Sequence, residues 1–241
     1  MIDTLSQQRT NLAMESFVGA ARTALGDSLR AIVLYGSAAE DAVRARSDIN
    51  VLVVLHRFEP VRIDALRDTL RALHAAVRLD AMFLLEDEIE AAAQAFPVKF
   101  FDVLRRHRVA YGDDPFAGVA IGPDVIAGHL KQLLLNMILR WRNAYATRAA
   151  REEQLPALLA DATGPLRASA AALLSLRGET VASPKAALQR VVDGWSNAAA
   201  SAALTRFSGL REGGALAPGE GEVLLLTVID MAGRMRAELG A

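Results

Sequence analysis

A glycine-serine turn between two short apolar strands constrains this chain more than any other feature of its sequence. The apolar residues at 30–35 predict a first strand, which runs directly into Gly36 and Ser37. A polar spacer, residues 38–47, separates this turn from a second apolar strand at 48–55. The pattern predicts two adjacent strands whose ends meet at a turn, with polar side chains gathered at that end of the sheet.

The side chains at the start of the second strand suit the binding of a metal-bound phosphate. Residues i and i+2 of a strand point to the same face, so Asp48 and Asn50 project together. Oxygen ligands in such a position hold hard divalent cations, which bridge a nucleotide's phosphates and activate an attacking group. Gly36 lets the backbone approach a phosphate, Ser37 adds a hydroxyl, and a helix starting there would offer free N–H groups. The alternative is an ordinary turn with a capping serine. That alternative does not explain why a second apolar strand begins with Asp48 at this distance from Gly36 and Ser37.

This arrangement resembles the signature of the nucleotidyltransferase superfamily, in which Gly-Ser and a spacer precede Asp-x-Asp or Asp-x-Glu. Position 50 departs from that signature, because Asn50 stands where the family carries its second carboxylate. The resemblance implies a third carboxylate on the neighbouring strand, and Asp80 in the predicted strand 77–85 matches that place. It therefore implies that Asp48 and Asp80 are catalytic and that Asp48, Asn50 and Asp80 are the metal ligands.

The same resemblance implies a nucleotide-binding set of Gly36, Ser37, Arg46 and Ser47. A cation in the spacer is suited to a phosphate, although arginines in loops are also commonly solvated. The four histidines lack the spacing of metal ligands and are predicted to be structural or exposed. Lys99 follows Phe96-Pro97, at a place where similar bacterial nucleotidyltransferase-domain proteins carry an acidic residue. If Lys99 lines the cleft, the site has lost a further negative charge.

Composition sets the general class of the chain. With 241 residues, 52% apolar and 23% charged, it has the balance of a globular protein of one large or two small domains. A net charge of −1 gives no indication of a nucleic-acid or membrane partner. The absence of cysteine excludes disulfides and thiolate metal sites. The chain shows neither a signal peptide nor a membrane-spanning run, so we expect a soluble, cytoplasmic protein.

The sequence changes character near residue 120. Alternating apolar patterns give way to long patterns rich in alanine and leucine, so we predict an α+β chain. A nucleotidyltransferase-like domain (1–120), with a mixed sheet flanked by helices, should precede an all-α helical bundle (121–241). Helices are predicted at 5–29, 60–73, 123–150, 154–178, 183–195, 198–207 and 218–239, and an edge strand at 108–111. Helix stops are predicted at Pro156, Gly164-Pro165, Gly178, and Gly213-Gly214 with Pro218-Gly219.

The helical half resembles the helical domain of aminoglycoside adenylyltransferases, through 171–179 and Ser183-Pro184-Lys185. In that family these helices close one wall of the cleft and bind the acceptor. From Asp124 onward, however, 13 Lys and Arg stand against 11 Asp and Glu, and a polycationic acceptor calls for an acidic surface. The sequence therefore does not identify the acceptor substrate. The last helix is apolar around much of its circumference, which predicts packing against the sheet domain or in a homodimer.

Three functional hypotheses follow from Asn50. An amide is a neutral ligand, so magnesium binding should be weak or lost. The protein is then a nucleotidyltransferase-family pseudoenzyme with weak, magnesium-dependent binding of a nucleoside triphosphate and with impaired or absent nucleotidyl transfer to an unknown acceptor. Alternatively, it is an active enzyme that recruits another carboxylate, such as Glu40 or Asp41, or a non-catalytic scaffold resembling antitoxin-like minimal nucleotidyltransferases.

Overall fold

The computed structural model describes residues 4–39, 48–149, 151–211 and 214–240, apart from the side chains of residues 4–6, 37 and 211. The chain divides into two compact units, Met1–Ala120 and Ile121–Ala241. All described strands belong to the first unit. In the described ranges no helix combines the length and the apolarity needed to cross a membrane.

The N-terminal unit is built around a four-stranded mixed sheet with strand order β3-β2-β1-β4. Strand β2 pairs parallel with β3, whereas β1 pairs antiparallel with β2 and with the edge strand β4. This is the α+β arrangement that the sequence predicts. The elements are α1 (Thr4–Leu25), β1 (Leu29–Tyr35), β2 (Ile49–Leu55), α2 (Pro60–Val77), β3 (Leu79–Leu85), α3 (Ile89–Ala95), α4 (Pro97–Arg105) and β4 (His107–Tyr111).

Helices α1 and α2 cover one face of this sheet. Phe17 of α1 and Leu66 of α2 are fully buried in a core that also takes in alternate residues of two strands, namely Ile49, Val51, Val53 and Leu55 of β2 and Leu79, Ala81, Phe83 and Leu85 of β3. Alternate residues of a strand point to opposite faces, so Asn50 and Asp80 project from the other face. A slip of one residue would place both polar side chains in this core, so the core fixes the register.

Arg78 ends helix α2 in a backbone conformation that ordinarily favours glycine. The helix begins with Pro60 in its first turn, where the missing N–H costs nothing. It continues one turn beyond the predicted end at residue 73, to Val77. Arg78 then adopts φ 56°, and its N–H donates to the carbonyls of Leu73 and His74. A non-glycine residue pays on the order of 1–2 kcal/mol for this conformation, so Arg78 is held in it by its surroundings.

The C-terminal unit consists of helices in its described part. They are α5 (Pro123–Arg148), α6 (Leu155–Leu176), α7 (Pro184–Asp193), α8 (Ala198–Arg211) and α9 (Glu220–Glu238). Helix α6 is central, because it packs against α5, α7, α8 and α9. Leu159, Leu166 and Leu173 along its length are buried.

The predicted helix stops at Pro156 and at Gly164-Pro165 are wrong, whereas α6 ends at Leu176, close to the predicted stop at Gly178. Pro156 lies in the first turn of α6 and so begins the helix, and α6 continues through Gly164 and Pro165. An internal proline removes one backbone hydrogen bond and clashes with the carbonyl four residues earlier. Ala162 and Leu166 on either side of it are buried, so burial of this helix outweighs the local cost.

Helix α9 packs against α5, α6 and α8, as its apolar circumference suggests. Leu225, Val228 and Met231 are fully buried, but Val223 and Leu226 stay largely exposed, at 63% and 47%. The predicted homodimer stays a prediction, since nothing in these contacts identifies what covers the exposed residues.

Gly112, which follows β4, allows a test of how closely the turn after this strand packs against β1. Gly112 has φ +79°, and a Cβ there would lie 2.3 Å from the carbonyl oxygen of Arg30. Gly118 has a similar φ of +84°, with nothing within 4 Å of such a Cβ. Gly118→Ala should cost about 1–2 kcal/mol of unfolding free energy from backbone strain alone. Gly112→Ala should cost a further 1–3 kcal/mol or so because backbone must move. Urea unfolding followed by circular dichroism measures both, and equal losses would contradict the packing.

Candidate functional site

Four polar or aromatic side chains form one row across the sheet face opposite the α1–α2 core. Asn50 of β2 lies opposite Tyr35 of β1 and opposite Asp80 of β3, and Tyr35 in turn lies opposite His107 of β4. Residues in register on neighbouring strands share a face and are about 4.8 Å apart in the pairing direction. We call Tyr35, Asn50, Asp80 and His107 the polar row. The register thus brings together two of the three predicted metal ligands, Asn50 and Asp80.

The glycine turn lies directly beside Asn50. Gly36 is buried and has φ +73°, which suits glycine, and its N–H donates to the carbonyl of Arg106 at 3.0 Å. A Cβ at position 36 would lie 4.0 Å from Nδ2 of Asn50. The turn Gly36–Ala38 is a single 3-10 turn, so it offers fewer free N–H groups than the start of an α-helix would. A side chain at position 36 would therefore come into van der Waals contact with the Asn50 amide.

Asp48 is engaged with a cation that the sequence analysis did not identify. Its Oδ1 accepts a hydrogen bond from Nε of Arg78 at 2.5 Å, and the two side chains are 49% and 63% exposed. The backbone supports the pair, since the N–H of Ile49 donates to the carbonyl of Arg78 at 3.2 Å. The left-handed backbone of Arg78 thus lies at the point where β2 and β3 begin. No sequence signal for this pair was evident, because the partners are separated by a helix.

Tyr35 is a further member of the site that sequence reasoning missed. Burial raises the pKa of its phenol to about 12, and the negative charges of Asp80 and Asp102 add to that rise. Asp102 itself accepts two hydrogen bonds from the Arg106 guanidinium, at 2.8 and 2.7 Å. The two carboxylates thus act on one phenol from different elements, β3 and α4. The only available signal was the position of Tyr35, immediately before Gly36.

Lys99 of α4 reaches the same face of the sheet. Its Nζ lies 3.2 Å from Sδ of Met82, which follows Asp80 by two residues and so points to the same side of β3. Lys99 is exposed, and it forms no ion pair with the residues that the structure describes. Of the two roles that the sequence left open for Lys99, the contact favours a place beside the polar row.

Several predicted residues lie outside the described ranges. Arg46 and Ser47, predicted to bind the nucleotide, belong to residues 40–47, as do the substitute carboxylates Glu40 and Asp41. The side chain of Ser37 is likewise outside the described set. Their roles stay predictions.

The described residues do not fit a site for two divalent cations. Within the described ranges Asp80 has no ion-pair partner, but Asn50 is neutral and Asp48 is paired with Arg78. Nowhere in the described ranges do three His, Asp or Glu side chains come close enough together to hold a metal ion. Lys99 adds a positive charge on the same face, which opposes a cation further.

Comparisons with known proteins support the fold. No family model and no curated protein matches this sequence. Among solved structures, the chain is similar to spectinomycin adenyltransferase from Enterococcus faecialis, solved with ATP and spectinomycin. The TM-score is 0.66 at 12% identity, covering 97% of this chain and 99% of that one. At such low identity the likeness shows the fold alone, and it confirms the predicted nucleotidyltransferase fold with its helical C-terminal part.

The raised pKa of Tyr35 predicts how stability changes at alkaline pH. The unfolded chain releases this proton near pH 10.0, whereas the folded protein keeps it to about pH 12. The contribution to stability is therefore complete below pH 10 and disappears as the pH rises to about 12. Tyr35→Phe should reduce the loss of unfolding free energy across this window by about 1–2 kcal/mol.

Urea unfolding at several pH values between 8 and 12 measures this change. Asp80→Asn should reduce the alkaline loss by a smaller amount, because burial is the larger cause of the shift. A Tyr35→Phe protein that loses stability as steeply as the wild type would contradict the assignment.

Proposed function

We propose that this protein binds a nucleoside triphosphate at the polar row and that nucleotidyl transfer there is impaired or absent. One observation carries the proposal: the Gly36 turn lies beside an amide, Asn50, that is in register with Asp80 within a nucleotidyltransferase fold. The turn and Asp80 keep the arrangement that the sequence signature implies. The amide changes the chemistry available at its centre.

The turn supports phosphate binding. Gly36 carries no side chain, so an anionic group can approach the backbone and the Asn50 amide from the same side. The Asn50 amide has two N–H donors as well as a carbonyl acceptor, so it can donate to a phosphate oxygen where a carboxylate would repel it. Gly36, Ser37, Arg46 and Ser47 form the proposed nucleotide-binding set.

The carboxylates support only a weakened transfer reaction. Transfer by two metal ions needs both ions held in register with the attacking and leaving oxygens. Asn50 contributes no charge, and the guanidinium of Arg78 beside Asp48 opposes a second positive charge there. A metal held out of register lowers the rate by several orders of magnitude. Asp48 and Asp80 are therefore the proposed catalytic residues of an ancestral reaction, and magnesium binding is proposed to be weak or lost.

Measurements of nucleotide binding and of pyrophosphate release distinguish this proposal from its two alternatives. Calorimetric titration with ATP, GTP, CTP and UTP, each with and without magnesium, measures binding, and release of pyrophosphate measures transfer. Binding without pyrophosphate release supports the proposal. Sustained release would favour an active enzyme with a carboxylate from residues 40–47. Absence of binding by all four nucleotides would favour a scaffold.

The acceptor stays unknown. The similar adenyltransferase was solved with spectinomycin, and a small-molecule acceptor is the corresponding proposal for this chain. The slight excess of basic residues from Asp124 onward gives no reason to choose a polycationic one.

Asn50→Asp tests the role of the amide. The substitution is nearly isosteric, so packing should scarcely change, while the row gains a negative charge beside Asp80. Without metal, the two carboxylates repel each other and the melting temperature should fall by a few degrees. Added magnesium should restore it and should strengthen nucleotide binding by about tenfold relative to the magnesium-free protein.

Asp48→Asn is the matched control, because it replaces the other motif carboxylate by the same amide. It should remove any magnesium dependence that the wild type has. If Asn50→Asp melts identically with and without magnesium and binds nucleotide no better than the wild type, the row is not a former metal site and the scaffold hypothesis is favoured.

A further inference from the structure

We propose that protein cations, chiefly Lys99, take the place of a divalent metal ion at this site, so that the nucleotide's phosphates bind without magnesium. This inference rests on the proposed nucleotide-binding function and specifies how the phosphate charge is neutralised. It follows from the disagreement between the metal chemistry that the fold implies and the residues that the site contains.

Two cations bracket the polar row along the strand direction. Arg78 lies two residues before Asp80, and Met82, which contacts Lys99, lies two residues after it. Met82 lies two residues beyond Asp80 on β3, about 6.6 Å along the strand, and Arg78 immediately precedes β3. A polyphosphate placed over Asn50 and Asp80 would thus meet Lys99 on one side of Asp80 along the strand direction and the Asp48–Arg78 pair on the other.

Of these two cations, Lys99 is the one available to a ligand. Arg78 is already paired with Asp48 at 2.5 Å. The ammonium group of Lys99 instead lies against a thioether, which is a weak acceptor and carries no charge. A compact ammonium on a flexible stem is suited to bind phosphate as a point charge. Movement of Lys99 from Met82 to a phosphate would therefore break no ion pair among the described residues.

The charges that the structure describes near the row balance, so they leave no excess of negative charge to hold a divalent cation. Asp48 faces Arg78 and Asp102 faces Arg106, so both carboxylates are compensated by arginine. Asp80 and Lys99 then carry opposite charges on one face, beside a neutral amide at position 50. Lys99 would repel a divalent ion bound at Asp80, whereas the same lysine would attract phosphate oxygens. Lys99 and a metal ion are thus alternative ways to neutralise the same ligand.

Titration in the absence of divalent ions tests the inference. The full-length wild type is titrated with ATP, GTP, CTP and UTP in buffer with EDTA and in buffer with magnesium. The best ligand should bind with dissociation constants that agree within about threefold in the two buffers. Lys99→Met, which keeps length and removes charge, should weaken binding in EDTA by about tenfold or more, and Lys99→Arg should retain most of it.

The other lysines provide controls. The chain has three, Lys99, Lys131 and Lys185, and Lys131→Met makes the same change on α5 and should bind like the wild type. Thermal melting of each variant establishes that it is folded. Mass spectrometry after lysine acetylation gives a second readout, in which nucleotide in EDTA should protect Lys99 more than Lys131.

The outcomes distinguish the inference from the proposed function. Binding that requires magnesium and is unchanged in Lys99→Met would overturn the inference and leave nucleotide binding intact. Absence of binding by all four nucleotides in both buffers would overturn the proposed function and the inference with it. Magnesium-independent binding that is lost in Lys99→Met and kept in Lys131→Met would support both.

Discussion

The parallel pairing of β2 with β3 is the constraint on which the rest of the site depends. Ile49 and Leu79 are in register and both point into the core beneath α1 and α2, so the residues that follow them, Asn50 and Asp80, must share the opposite face. The same pairing brings the start of β2 to the end of α2, where Arg78 is held in a left-handed conformation. Apolar burial on one face thereby fixes the polar chemistry on the other.

Charge compensation distinguishes this face from a site built for metal ions. Carboxylates that bind a divalent cation must be free to do so, but Asp48 and Asp102 both face arginines. The position between Tyr35 and Asp80 is an amide, and the nearby helix contributes a lysine. The amide, the lysine and the arginine-paired carboxylates together leave little negative charge on this face to hold a cation.

Strand and helix patterns could be predicted because they are local. The apolar run of β2, the alternation of β3, the Gly36 turn and the edge strand β4 all follow from residues a few positions apart. Local signals also misled, since Gly164 and Pro165 do not end α6. The energy that keeps this helix continuous comes from burial against four other helices, which no short window of sequence contains.

The sequence by itself determined the nucleotidyltransferase fold and the position of the amide at residue 50. The fold followed from the resemblance of the motif and its spacing to a known family, and strand geometry placed residues 48 and 50 on one face. Only the tertiary structure decided which charged side chains come into contact, and with which partners. Asp48 and Arg78 are 30 residues apart, and Lys99 and Met82 are 17 apart. Such contacts depend on how α2 and α4 dock on the sheet, and packing sets that docking rather than any pattern along the chain.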